Sequence, residues 1–229
     1  MKLVGERRAI AAIVFAFFFI MFTLNALMGP APNAPMLYAL AGCYGLAFFS
    51  LVAGYFWARW YSLGVGLFGV ILGVLGIWQG RKDPRVDMWQ IYMQFGMHLA
   101  ATLMLWGENM SVSYDGKTAW REKLHMDENA VQRLGKSVIR AGVSLPIVLV
   151  YALAPKQPAM AHLVGGLAVL GIAGTIRMRT WGLVVMGISG LALATLGIEN
   201  FEMVPTLAGG LLVSAAVPFL APMARLIRA

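Results

Sequence analysis

The sequence predicts an all-α polytopic membrane protein with about eight transmembrane helices, arranged as two parallel four-helix repeats. The first indication is composition, because 60% of the 229 residues are hydrophobic and only 12% are charged. An average soluble domain is about 45–50% apolar and about 25% charged. The second indication is that the apolar residues form runs of about 18–22, the length that crosses a bilayer core. A transmembrane barrel would instead require alternating segments of about ten residues, which the sequence lacks.

Eight apolar segments follow one another along the chain. They cover residues 9–28, 36–57, 60–79, 88–106, 137–154, 159–176, 180–198 and 204–227. Prolines in the loop 29–35 end the first segment and start the second. A residue or two around Arg59 separates the second segment from the third, which predicts a tight hairpin, and Pro146 predicts a kink in the fifth. The predicted organisation is a first four-helix repeat at 1–106, a linker at 107–136 and a second repeat at 137–229.

The linker is the longest polar stretch of the chain. Trp120 and Leu124 share one helical face among three basic residues, Lys117, Arg121 and Lys123. This pattern is typical of a short amphipathic helix lying on the inner surface of a membrane. Docking of a partner protein is the alternative for this stretch.

Lysine and arginine counts predict the orientation. With eight spans both termini lie on one side, and that side carries fourteen of the eighteen basic residues. Such an excess marks the cytoplasmic side, so both termini are expected in the cytoplasm, with the chain integral to a bacterial inner membrane. The net charge of +8 sits at segment ends, which favours anionic lipid headgroups over nucleic acid as partners.

The two halves of the chain resemble each other in sequence. The pattern A-P-x-x-P at 31–35 recurs at 154–158, and residues 60–77 match 181–198 at seven of eighteen positions. Each half has four segments, so both halves would enter the membrane from the same side as a parallel repeat. Basic tight turns and glycine-rich helices are also common among membrane proteins, which is the alternative explanation.

The fourth segment carries a polar ridge, which we define as Gln90, Gln94, His98 and Thr102. The four-residue spacing places these side chains along one helical face. Polar groups inside a membrane need partners, so the ridge is expected to face protein or a water-filled cavity. Segment 8 has Thr206, Gly210, Ser214 and Pro218 at the same spacing, and is the expected facing helix, with Ser214 beside the ridge. Met93 and Met97 are expected to line an adjacent apolar groove.

His98 is the main candidate for chemistry. It is either a neutral structural histidine bonded to Gln94 or a neighbouring helix, or a group that handles protons, a quinone or another ligand. A bis-histidine haem is disfavoured because His125 and His162 lie at other depths. The sequence predicts neither a metal site nor catalytic residues, and it singles out no cofactor, because no phosphate loop, HExxH motif or Ser-His-Asp set is present.

Glycines at three- and four-residue spacing predict surfaces where helices approach closely. They are Gly66, Gly69, Gly73 and Gly76 in segment 3 and Gly187 and Gly190 in segment 7. These faces could equally serve contact between copies of the chain.

These observations leave three functions open. The first is a non-enzymatic structural or accessory subunit of a membrane complex or homo-oligomer, favoured by the scarcity of charge within the segments. The second is a small transporter or channel whose polar path follows the ridge. The third, less favoured, is an enzyme that modifies a lipid or quinone through His98.

Overall fold

The computed structural model describes residues 2–82, 85–107, 110, 128–155, 157–177 and 179–228. Eight long helices account for most of them, and no β-strand occurs within these ranges. The helices are α1 (Lys2–Met28), α2 (Ala34–Ala53), α3 (Ala58–Gly80), α4 (Met88–Leu105), α5 (Glu128–Leu153), α6 (Ala159–Ile176), α7 (Thr180–Glu199) and α8 (Met203–Arg228). Each helix covers one predicted segment to within a residue at its C-terminal end, except that α2 ends at Ala53, before the predicted end at residue 57, because Gly54 adopts the left-handed conformation there. The amphipathic face predicted for the linker, from Lys117 to Leu124, lies outside the described residues.

Six of these helices are long and apolar enough to cross a membrane. They are α1, α2, α3, α5, α6 and α7, and the part of α8 at Met203–Phe219 forms a shorter apolar helix. An all-helical chain with six such helices agrees with the predicted class of helical membrane protein. The count of eight spans stays a prediction.

Each half of the chain closes a ring of four helices. In the first half α1 packs on α2, α2 on α3, α3 on α4, and α4 returns to α1; helices α5 to α8 close in the same order. A four-helix bundle with short connections closes in this way whether or not it arose by duplication, so the repeat stays a prediction.

The two halves meet where α5 packs against α3 and α2. Gly64 of α3 and Gly142 of α5 lie against each other at this contact. A Cβ added at Gly142 would lie 2.8 Å from the Tyr61 carbonyl oxygen and 3.1 Å from the Gly64 Cα. A Cβ at either position would be too close to the other backbone, so the two glycines allow α3 and α5 to approach closely here.

The helix α5 begins earlier than the fifth segment. It starts at Glu128, so residues 128–136, which the sequence assigned to the linker, continue directly into it. Val131 and Leu134 are buried, and Gly135 lies against the indole of Trp60. The extension is therefore held by packing on the bundle.

Arginines cap helix ends at one end of the bundle, which we call the basic end. Arg7 donates to the carbonyl oxygens of Leu103 and Trp106, and Arg59 donates to that of Leu105 at 3.0 Å. The Trp106 N–H also donates to the Leu103 carbonyl at 3.2 Å, whereas the carbonyls of Leu105 and Trp106 lie past the last helical N–H that could reach them. The cations also lie at the negative end of the helix dipole, so the basic residues stabilise the end of α4.

Arg140 satisfies a carbonyl that a proline leaves unpaired. Pro218 has no N–H, so the carbonyl of Ser214, four residues earlier in α8, lacks its helical partner. The Arg140 guanidinium donates to that carbonyl from α5. Sequence analysis counted Arg140 only as a cytoplasmic charge, although Pro218 and a nearby arginine together could have indicated the contact.

We expect Arg140→Met to lower the free energy of unfolding by about 1.5–3 kcal/mol, the usual range for a hydrogen bond to a charged group. In a Pro218→Ala background the loss should shrink below about 1 kcal/mol, because residue 218 then supplies the missing N–H. Unfolding by SDS in mixed micelles measures both values. Lys136→Met, an exposed position one turn earlier, is the control and should change little. An equal loss in both backgrounds would contradict this account.

Candidate functional site

The helix α4 lies close against α3 because α3 presents a glycine face. A Cβ added at Gly66 would lie 2.5 Å from Thr102 Oγ1, and one added at Gly69 would overlap the His98 ring. At Gly73 it would lie 2.7 Å from the Phe95 Cβ, and at Gly76 it would lie 3.2 Å from Ile91. The four glycines thus lie at the α3–α4 interface, and their spacing matches the side chains that α4 directs at them.

The second group of glycines lies between α7 and α8. A Cβ added at Gly190 would lie 2.9 Å from the Leu212 Cβ, whereas one added at Gly187 would make an ordinary contact of 3.7 Å with Ala216. Gly190 is therefore at a close approach, and Gly187 lies in a looser part of the same interface.

His98 links four helices at the centre of the first half. Its ring lies on the Gly69 backbone of α3, and its centroid is 4.1 Å from that of Phe18 in α1. Its Nε2 is 2.7 Å from the Tyr44 hydroxyl of α2, and its Nδ1 is 2.7 Å from the Gln94 carbonyl oxygen of α4. Only 4% of the residue is exposed, so the histidine is a core group of the bundle.

These partners define the protonation of the ring. A backbone carbonyl only accepts hydrogen bonds, so the His98 Nδ1 carries the proton and donates to Gln94. The Nε2 of a neutral imidazole is then an acceptor, and the Tyr44 hydroxyl donates to it. Both ring nitrogens are therefore occupied, and the remaining hydrogen-bonding capacity lies on the Tyr44 oxygen, which can still accept.

The four residues of the ridge do not lie in the same environment. His98 and Thr102 are buried, and the Thr102 hydroxyl donates to the His98 carbonyl at 2.8 Å, whereas Gln90 and Gln94 are exposed. A step of four residues turns an α-helix about 40° beyond a full turn, so the ridge rotates about 120° between Gln90 and Thr102. The expectation of an inward ridge therefore holds at His98 and Thr102 but not at Gln90.

The helix α8 faces Gln94 and His98 across a cavity through Val204 and Leu207, and not through Gly210 and Ser214 as expected. His98 itself contacts α1, α2 and α3, because the glycine face of α3 admits α4 at short distance. The Ser214 hydroxyl donates to Leu211 in its own helix at 2.8 Å, and Gly210 has open space around its Cα.

A cavity of about 480 Å³, here called the α4 cavity, lies beside His98. Three residues of α4 line it, Ile91, Gln94 and His98, so Met93 and Met97 lie outside the lining. The other walls come from α1, α2, α3, α5 and α8 and are mainly aliphatic and aromatic. The volume falls within the range of about 300–1,000 Å³ that is usual for small-molecule sites.

Sequence analysis missed Tyr44, the main partner of His98. Tyr44 lies near the middle of α2, and His98 lies near the middle of α4. A phenol at the centre of an apolar span needs a hydrogen-bond partner. The matching depth of the two residues is the signal that could have indicated the pair.

The fold and the site define a helical membrane protein in which Tyr44 and His98 hydrogen-bond to each other inside the bundle. Comparison with known protein families, with curated proteins and with solved structures gave no match. Among the described residues, no group of three or more His, Cys, Asp or Glu side chains could hold a metal ion.

Proposed function

We propose that the chain is a non-enzymatic structural or accessory subunit, which assembles with another membrane protein or with copies of itself. The proposal rests on the hydrogen bonds and packing of His98 inside the bundle. Both of its nitrogens are hydrogen-bonded within the bundle, and its ring is enclosed by Phe18, Tyr44 and Gly69. A proton carrier or catalytic base needs a nitrogen that its substrate can reach. The arrangement therefore favours a structural role.

The α4 helix supports an eight-span arrangement. Trp89 and Trp106 flank it, and they are 71% and 60% exposed. Seventeen residues of helix separate them by about 25 Å, close to the thickness of a bilayer core. Tryptophans favour the two membrane interfaces, so the proposal includes α4 and α8 as spans.

The proposed orientation places the basic end in the cytoplasm, at a bacterial inner membrane with anionic lipids. Arg7 and Arg59 both donate to carbonyls at the C-terminal end of α4, and the predicted topology assigns fourteen of the eighteen basic residues to this side. Two reporter proteins can be fused after Ala229, one that is active only in the cytoplasm and one that is active only in the periplasm. We expect activity from the first fusion and none from the second. Activity from the periplasmic reporter alone would show that the orientation is the opposite one.

The test of the accessory role is the size of the particle extracted from native membranes. We expect extraction into polymer-bounded lipid discs to yield a particle larger than one chain, with either a second protein or further copies of this one identified by mass spectrometry. A monomer without companions, across several mild extraction conditions, would contradict the proposal.

Transport is the second candidate, and the α4 cavity is the observation that favours it. The cavity lies in the half of the bundle away from the basic end and reaches His98, so a polar group lies beside a volume large enough for a small substrate. If the protein transports, proteoliposomes should show flux of protons, monovalent ions or small neutral solutes, and Gln94→Leu should change it. Absence of flux under every gradient would remove this candidate and leave the accessory role.

A further inference from the structure

The α4 cavity occupies one half of the bundle's height. Its floor is formed by Tyr44, Gly69 and His98, and on α3 its wall extends from Phe68 to Gly76. Eight residues of helix rise about 12 Å, which is close to half the thickness of a bilayer core of about 30 Å. The cavity therefore spans about one leaflet, on the side away from the basic end.

The cavity opens sideways between α3 and α8. Leu72 of α3 and Leu207 of α8 both line it, yet they are 50% and 55% exposed. The two helices are also not among the pairs that pack closely. A molecule dissolved in the hydrocarbon of the membrane can therefore reach the floor without passing through water.

One wall of the cavity carries an amide without a protein partner. Within the described part of the chain, the side chain of Gln94 makes no hydrogen bond, and it lies one turn from His98 at the cavity wall. Gln94 is an exposed residue of α4, which we propose as a span, so its amide faces the cavity or hydrocarbon and not water, and an unpaired amide there is unfavourable by several kcal/mol. The occupant is thus expected to supply an acceptor to the amide N–H groups.

The cavity is rich in aromatic rings. Phe18, Phe22, Tyr44 and Phe68 all line it, and the ring centroids of Phe22 and Tyr44 are 5.4 Å apart. Such rings pack well against another flat ring. A simple acyl chain would fill the volume but would leave the Gln94 amide unpaired.

We propose that the α4 cavity binds a prenylated quinone of the membrane. The flat, carbonyl-bearing ring lies among the aromatic side chains with a carbonyl accepting from Gln94, and the hydrocarbon tail leaves between Leu72 and Leu207. The proposal concerns binding alone, since both nitrogens of His98 are already engaged. It goes beyond the accessory role and does not depend on it.

The test measures quinone bound to the full chain. The purified protein is placed in lipid nanodiscs that contain increasing amounts of decylubiquinone, and the quinone retained is compared with that in empty nanodiscs. Gln94→Leu keeps the side-chain size but removes the amide. Gln90→Leu removes the amide one turn further out on the same helix, outside the cavity lining, and is the matched control. Val150→Trp fills the cavity from α5.

We expect saturable binding by the unaltered chain and by Gln90→Leu. Binding should weaken about fivefold to tenfold in Gln94→Leu, the effect of one hydrogen bond, and should fall more than tenfold in Val150→Trp. Thermal unfolding without quinone shows that each variant is folded. Three results would overturn the proposal: no saturable binding, equal binding by the two glutamine variants, or equal competition by decanol, which has a tail but no ring. Because no partner protein is present, these results are independent of the accessory role.

Discussion

Gly69→Ala is expected to lower the free energy of unfolding by about 3 kcal/mol or more. The added methyl would overlap the His98 ring, and overpacking of a close interface usually costs about 1–3 kcal/mol. The effect should lie at or above the top of that range, because α4 can move away only by weakening its other contacts with α3. Unfolding in SDS mixed micelles, followed by circular dichroism, provides the measurement.

Gly96→Ala provides the matched control for this substitution. Gly96 lies on α4 in the turn before His98, and no atom lies within 4 Å of a Cβ added there. Alanine also favours a helix by about 1 kcal/mol relative to glycine, so this variant should be as stable as the unaltered chain or slightly more stable. A Gly69→Ala protein as stable as Gly96→Ala would show that α4 does not lie on the glycine face.

His98→Ala is expected to lower the free energy of unfolding by about 4 kcal/mol. The substitution leaves a space beneath Phe18, and truncation of a large buried side chain typically costs about 2–5 kcal/mol. It also leaves the Tyr44 hydroxyl without its acceptor, and a buried unpaired hydroxyl is itself unfavourable. The same unfolding assay measures the loss.

Tyr44→Phe separates these two contributions. In the unaltered chain it removes one hydrogen bond between helices, which is worth about 1 kcal/mol in a membrane. In the His98→Ala background it should be neutral or stabilising, since it removes an unpaired hydroxyl. If Tyr44→Phe destabilises both backgrounds equally, the hydroxyl does not act through His98.

The positions of the helices could be predicted from the sequence, but the partners of His98 could not. The third segment was predicted at 60–79, and α3 runs from Ala58 to Gly80. Length and hydropathy are properties of one segment, because a helix inside a membrane satisfies its own backbone. The Tyr44–His98 contact joins residues 54 positions apart, and it depends on how four helices assemble.

The position of Gln90, exposed and outside the cavity lining, follows from helix geometry that the spacing pattern does not take into account. A four-residue spacing drifts around the helix, so a long polar ridge cannot keep to one environment. The boundary of α5 was missed for a different reason. Residues 128–136 are polar enough to suggest a linker, yet buried Val131 and Leu134 extend the helix along the bundle. The polarity of residues 128–136 favours a loop, whereas the burial of Val131 and Leu134 favours a helix, and the helix is what forms.

The arginine contacts at the basic end also impose an order on biosynthesis. Arg7 donates to carbonyls of residues 103 and 106, which lie 96 and 99 positions further along the chain. At about 5–20 residues per second, a ribosome needs about 5–20 s to make the intervening segment. During that interval α1 can reside in the membrane, but its first turns lack these carbonyl partners. The N-terminal tail is therefore among the first parts to be synthesised, yet it reaches its final contacts only when α4 has arrived.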